Sequence, residues 1–156
     1  MIEIQDPDVL IAALLDSTTS HVLETMFFST VIGSAPESES DSNPRLRARL
    51  SFSGNPSGEF EVETTRAAAH ALAAAFLGID ESEVDAQQAE EVAGELANMA
   101  CGSALSSLGN VECFRLAKPI VTSAPVGTPM LDGVRRGFLL DSGALRVSLR
   151  VDFPPA

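Results

Sequence analysis

Glu95-Leu96-Ala97-Asn98 sets a carboxylate and a carboxamide three residues apart. On a helix of about 3.6 residues per turn such a pair shares one face, because three residues turn the chain by about 300°. The pair includes no nucleophile and no metal-ligand geometry. Its carboxylate can hold a cationic partner, and its carboxamide can bind water while donating to a neighbouring anion. With Glu95 as zero on a helical wheel, Ala89, Val92, Ala93, Leu96, Met99 and Ala100 fall between about 40° and 160°, an apolar stripe suited to burial. Glu91, Glu95, Asn98 and Gly102 fall between about 300° and 0°, on the polar side. Gly94 and Gly102 frame that polar face, although each glycine costs a helix interior about 1 kcal/mol relative to alanine. Two such positions imply a close approach, either by another helix of the same domain or by a partner.

Other residues with chemical potential lack company. His21 and His70 have no nucleophile elbow or partner carboxylate at a telling spacing, and read as surface or half-buried side chains. Glu90, Glu91 and Glu95 are unaccompanied by a Glu-x-x-His, which argues against a di-metal site. Glycine-rich phosphate loops are absent. Cys101 and Cys113 form no Cys-x-x-Cys and point to ordinary packing in a thiol-reducing compartment.

With 156 residues and 45% apolar composition, the chain has the size and the core of one domain, 1–156. It lacks Trp and Tyr, so eight Phe join Leu, Val and Ala in that core. No apolar run approaches the ~20 residues of a membrane helix, and MIEIQDPDVL lacks the basic and apolar regions of a signal peptide. A cytoplasmic protein is expected. Twenty-two acidic against ten basic residues give a net charge of −12, which repels phosphate backbones and excludes a nucleic-acid partner.

Asp6-Pro7 reads as an N-cap and first helical residue, and apolar residues from Val9 to Met26 keep helical spacing to about Phe28. Residues 33–44, GSAPESESDSNP, form an exposed connection. Strict alternation follows: Leu46, Ala48, Leu50 and Phe52 against Arg45, Arg47, Arg49 and Ser51. After a turn at Asn55-Pro56-Ser57-Gly58, Phe60, Val62 and Thr64 alternate with Glu59, Glu61 and Glu63. Pairing Phe52 with Phe60 and Leu50 with Val62 sets Arg49 opposite Glu63, in a hairpin with one buried and one charged, wet face. The arginine row reads as cross-strand ion pairs of little energetic weight rather than an anion site. Residues 65–77 form an Ala-rich helix ended by Gly78, and residues 85–108 a longer one ended by Gly109. Residues 111–116 and 119–123 are short strands. A last hairpin joins 134–140 to 145–151 through Asp141-Ser142-Gly143, with Phe138 and Leu140 facing Val147 and Leu145. The expected fold is α+β, a two-layer arrangement of a mostly antiparallel sheet with long helices on one face. Helix–strand–strand occurs roughly twice, a hint of pseudosymmetry without a sequence repeat.

The run Gly94-Glu95-Leu96-Ala97-Asn98-Met99, continuing Ala100-Cys101-Gly102-Ser103-Ala104, resembles the core motif of CheX- and CheC-type chemotaxis phosphatases. That motif reads Asp or Ser, three residues, Glu, two residues, Asn, and a proline some twenty-odd residues later. Val22-Leu23-Glu24-Thr25-Met26-Phe27 is similar to the family's first long helix, and Phe114-Arg115-Leu116-Ala117-Lys118-Pro119 to its proline-bearing strand. In element order the likeness runs from about residue 9 to 152. Three positions depart from the pattern. Glu91 stands where Asp or Ser is usual, Pro119 is two residues closer to Asn98, and Phe27 replaces the second asparagine of two-site relatives, which limits the chain to one site.

The resemblance implies a phosphatase that hydrolyses the aspartyl phosphate of a phosphorylated CheY-like receiver domain. Asn98 would position the attacking water and Glu95 would pair with the regulator's lysine. Glu91, Gly94, Gly102 and Pro119 would border the partner. It also implies a homodimer, Mg²⁺ held by the regulator, and no cofactor or metal of the chain's own. A non-catalytic receiver-binding or flagellar-switch-type module of the same fold is the alternative, favoured by Glu91 and the shortened proline spacing. An assembly domain with a coincidental Glu-x-x-Asn is the third reading.

Overall fold

The computed structural model describes residues 6–35, 44–108 and 114–152. Three helices cover one face of a six-stranded antiparallel sheet, in the order α1 (Pro7–Met26), β1 (Arg45–Ser53), β2 (Ser57–Thr64), α2 (Arg66–Leu77), a 3-10 turn (Glu81–Glu83), α3 (Ala86–Leu108), β3 (Arg115–Leu116), β4 (Ile120–Ala124), β5 (Val134–Leu140) and β6 (Gly143–Asp152). The expected α+β architecture is the observed one. Along the sheet the order is β3-β1-β2-β6-β5, with β4 also on the outer edge of β1.

Caps set the helix starts as the residue types imply. Asp8 N–H donates to Asp6 Oδ1 (3.0 Å) ahead of Pro7, and Ala68 N–H donates to Thr65 Oγ1 (3.1 Å). Gly78 closes α2 in the left-handed conformation (φ 70°). Gly109, Asn110 and Cys113 lie outside the described residues, as do 36–43 of the expected connection and 111–113 of an expected strand. What is described of that connection is not simply solvated. Gly33 bridges Leu139 on the outer edge of β5, with Ile32 N–H donating to Leu139 O (2.8 Å) and Leu139 N–H to Gly33 O (2.9 Å).

Both hairpins are tighter by two residues than the sequence suggests. Leu50 pairs with Phe60 and Phe52 with Gly58; Phe138 pairs with Leu145 and Leu140 with Gly143. In each case a glycine assigned to the turn belongs to a strand. A Cβ on Gly58 would lie 2.0 Å from Arg150 O and 2.6 Å from the Phe52 ring, and one on Gly143 2.4 Å from Thr65 Oγ1. These glycines serve close approach, and Gly143 also takes a positive φ of 146°. A shift of two preserves side-chain parity, so the buried and charged faces remain as expected.

The helix-facing side carries the core, with Phe27, Phe60, Leu15, Leu23, Leu46, Leu96, Leu105, Leu145 and Leu149 fully buried. The opposite side corrects the expectation of a wet ion-pair surface. Glu63 pairs with Arg47 rather than Arg49 (Nε–Oε2 2.7 Å) and meets Arg146 at 3.5 Å; all three are buried. The segment after β4 covers them. Arg47 donates to Pro129 O (2.8 Å) and to Thr128 O, Glu61 accepts from Leu131 N–H (3.0 Å), and Ser148 Oγ donates to Leu131 O (2.7 Å). The exposed Arg49–Glu59 pair is the part that does lie at the surface.

Candidate functional site: the polar stripe of α3

Asp85 and Gln88 start α3 with a reciprocal cap. Gln88 N–H donates to Asp85 Oδ1 (2.7 Å) and Asp85 N–H to Gln88 Oε1 (3.0 Å). The helix then packs against β1 and β2 while wedged between α1 and α2. Its buried surface is consequently wider than the expected stripe and takes in Gly94, Ala97, Cys101, Ala104 and Leu105. The small residues let the flanking helices come close. Cys101 is an inert part of this packing: burial pushes its thiol up to about 12.

What remains outside is narrow. Glu91, Glu95 and Asn98 are exposed along one line of the helix. Gln87 Nε2 donates to Glu91 Oε1 (3.1 Å), so Glu91 is tied to the preceding turn. Among the described residues no hydrogen bond or ion pair engages Glu95 or Asn98.

Gly94 and Gly102, paired by sequence reasoning, do different things. A Cβ on Gly94 would sit 3.5 Å from Val121 Cγ2 and 3.7 Å from Pro119 Cβ, so the close approach there comes from the chain's own sheet edge, not from a second helix. A Cβ on half-buried Gly102 would meet nothing within 4 Å, which leaves open space beside the stripe.

Pro119 reaches Gly94 through a bulge. Leu116 pairs with Phe52 and Ile120 with Arg49, so three residues of the edge strand span two of β1. Ala117 N–H donates to Ser51 O (2.8 Å), and the proline falls in the unpaired stretch, where its missing N–H costs no ladder bond. Asn98 lies one turn beyond Gly94 and about 40° around the helix from it, and Glu95 about 100° from it; both are exposed. The structure therefore brings Gly94 and Pro119 together, with Asn98 one helical turn beyond Gly94, Glu91 and Glu95 along the exposed line and Gly102 a turn beyond Asn98. Sequence reasoning missed Val121, the bulge and the Gln87 tie. The proline between two apolar alternations was the available signal for the bulge.

Phe27 is fully buried and stacks on Phe76 at 5.0 Å. It offers no second site. Two concavities of about 540 and 550 Å³ lie on the far side of the sheet, and no residue of α3 lines either. Among the described residues no group of His, Cys, Asp and Glu is placed to hold a metal ion. An exposed carboxylate and carboxamide on a helical ridge suit a macromolecular surface better than an enclosed small molecule.

Residues 47–128, more than half of the chain, match the family described as Chemotaxis phosphatase CheX. The chain belongs to this CheX family. No curated protein sequence matches it. Solved CheX structures share the fold. The chemotaxis protein CheX from Desulfovibrio desulfuricans superposes with a TM-score of 0.71 at 23% identity, over 92% of this chain and 99% of its own. CheX from Vibrio vulnificus gives 0.75 at 16% identity, over 95% and 100%. The third is a chain of the CheX–CheY–BeF3–Mg²⁺ complex from Borrelia burgdorferi, with a TM-score of 0.63 at 16% identity over 89% of this chain and 96% of its own.

Proposed function

We propose that this CheX-family chain hydrolyses the aspartyl phosphate of a CheY-like response regulator, with Asn98 positioning the water and Glu95 anchoring the regulator. The observation that carries this reading is that both side chains are exposed and unengaged on a helix whose remaining faces are mostly buried. The complex of a Borrelia burgdorferi relative with CheY supports the choice of partner.

The chemistry asks little covalent help of the protein. Water attacks phosphorus, the bond from phosphorus to the aspartyl oxygen breaks, the carboxylate leaves, and the proton of the water ends on inorganic phosphate. Phosphoryl transfer of this kind depends on alignment and charge compensation. The Asn98 amide oxygen accepts a hydrogen bond from the water while its N–H₂ donates to a phosphoryl oxygen. Glu95, an acceptor only, takes a lysine of the regulator. Mg²⁺ is the regulator's own. The molecule works as a cytoplasmic homodimer by the same family likeness.

A second reading is a receiver-binding module without activity. It draws on Glu91, which stands where Asp or Ser is usual and is held by Gln87. Mixing the protein with phosphorylated regulator and Mg²⁺ and following phosphate loss separates the two. Acceleration supports the phosphatase; binding without acceleration supports the module. Asn98→Ala should return the rate to that of the regulator alone with an unchanged melting curve, a loss of about 10²-fold or more. Full activity in that variant would sink the assignment.

A further inference from the structure

Strand register sets one row of residues across four strands on the side of the sheet away from the helices. Arg47 on β1 pairs with Glu63 on β2, Glu63 with Arg146 on β6, and Arg146 with Gly137 on β5. Side chains two residues apart on a strand share its face, so Arg45 flanks the row on β1 and Arg135 flanks it on β5. All six line the concavity of about 540 Å³. The segment from Pro125 to Met130, whose carbonyls at Thr128 and Pro129 accept from Arg47, lines it too. At the β5 end Gly137 leaves the row without a side chain, and Ala35 lies over it: a Cβ there would be 2.7 Å from Ala35 O.

Four guanidiniums therefore meet in one cavity, and among the described residues Glu63 is the sole carboxylate lining it. In a chain of twenty-two acidic and ten basic residues this inverts the overall balance. Three of the four are buried, Arg45 at 7% exposure and Arg47 and Arg146 at 8% each. Glu63 takes both Arg47 and Arg146, while Arg135 donates to the carbonyls of Leu131 and Met130. Carbonyl oxygens satisfy N–H groups without cancelling their charge, and buried charge is costly unless an opposite charge accompanies it. The lining thus carries a positive surplus, in a volume within the range of about 300–1,000 Å³ typical of small-molecule sites.

We propose that this concavity binds a small phosphate-bearing anion, held by Arg45, Arg135 and Arg146 over the Arg47–Glu63 pair. Guanidinium forks match the oxygens of a phosphate, and a dianion that takes several forks offsets the surplus that one carboxylate leaves. Pro125, Val126 and Met130 offer an apolar wall to an organic body attached to the phosphate. The assignment reverses the sequence expectation for the arginine row, because Arg45 and Arg47 lie within a covered layer rather than on a wet face. It is independent of the chemistry proposed for α3.

Calorimetric titration of the full chain with inorganic phosphate and with adenosine 5′-monophosphate, without Mg²⁺ and at about 50 mM salt, tests this. One site with a Kd of about 1 mM or tighter is expected. Tighter binding of the nucleotide means that the apolar wall holds an organic body, and equal affinity means that the phosphate group alone is read; both support the site. Arg135→Gln, an exposed position that should leave the fold intact, should weaken binding about tenfold, and Arg45→Gln at least as much. Arg150→Gln removes the same charge outside the cavity lining and should cost less than about twofold. No binding of either probe up to about 10 mM, or losses in the Arg135 and Arg45 variants no larger than in the Arg150 control, overturns the proposal. Glu37, Glu39 and Asp41, between Ala35 and Arg45 in sequence, are the chain's own rivals for these arginines. Binding confined to a variant with Glu37→Gln, Glu39→Gln and Asp41→Asn would assign the arginines to those carboxylates and overturn it as well.

Discussion

Pro119 rests on Gly94: a Cβ placed on the glycine would lie 3.7 Å from the proline Cβ and 3.5 Å from Val121 Cγ2. Those are ordinary van der Waals separations, so a methyl group fits and anything longer must displace the bulge. Gly94→Ala should raise stability by about 0.5–1 kcal/mol, the helix-propensity gain, and keep activity. Gly94→Leu should cost about 1–3 kcal/mol by overpacking and slow dephosphorylation as the edge moves away from Asn98. Melting curves and phosphate-release rates on the two variants check this; an unimpaired leucine variant would show that the bulge does not position the site.

Gly102 behaves differently because its surroundings are empty. A leucine there should fold normally, and it should weaken regulator binding about tenfold by filling the space a docked surface requires. Calorimetric titration of the variant with regulator decides. Unchanged affinity would place the docked surface short of this turn.

Glu95 and Asn98 should separate kinetically. An exposed carboxylate–lysine contact is worth about 1 kcal/mol, so Glu95→Ala should raise KM about fivefold and leave kcat near wild type. Asn98→Ala should do the reverse, because its contact to the water matters at the transition state. If Glu95→Ala lowers kcat without touching KM, the anchoring role is wrong.

Periodicity and caps were legible wherever one residue decided them. Asp6-Pro7, Thr65, Gly78 and the period of α3 all announce their elements locally. The hairpin registers were not, because Gly58 and Gly143 look like turn residues and are strand residues facing Arg150 and Thr65, contacts made by other segments. The buried charge was hidden for the same reason. Alternation in β1 shows that Arg47 points away from the helices, but not that residues after β4 fold across it. For the site, the Glu95–Asn98 face was readable from the helical angle alone. The approach of Pro119 to Gly94, one turn before Asn98, depends on a bulge that only the pairing of Leu116 and Ile120 with β1 reveals.

Glu63 holds two buried guanidiniums, Arg47 at 2.7 Å and Arg146 at 3.5 Å. Neutralising it leaves two buried guanidiniums without this carboxylate, which costs about 3–5 kcal/mol. Glu63→Gln should therefore lower the melting temperature sharply, by more than Glu59→Gln, whose partner Arg49 is exposed. Folded Glu63→Gln protein should retain its dephosphorylation rate, since the pair lies on the opposite side of the sheet from α3. Equal melting temperatures for the two variants would mean that the covering segment leaves Glu63 wet.

Cys101 supplies a pH test of the α3 core. Burial raises its thiol from an ordinary 9.0 to about 12. The unfolded chain thus gives up this proton first, so the stabilising difference is complete below about pH 9 and is lost as pH climbs toward 12. Stability of the wild type should fall across that window more steeply than that of Cys101→Ala, measured by denaturant midpoints. In a Cys113→Ser background the remaining thiol should resist aromatic disulfide reagents at pH 8 until denaturant is added, because the thiolate is the reactive form and burial suppresses it. Rapid labelling of the native variant would mean that the buried face of α3 opens at this turn.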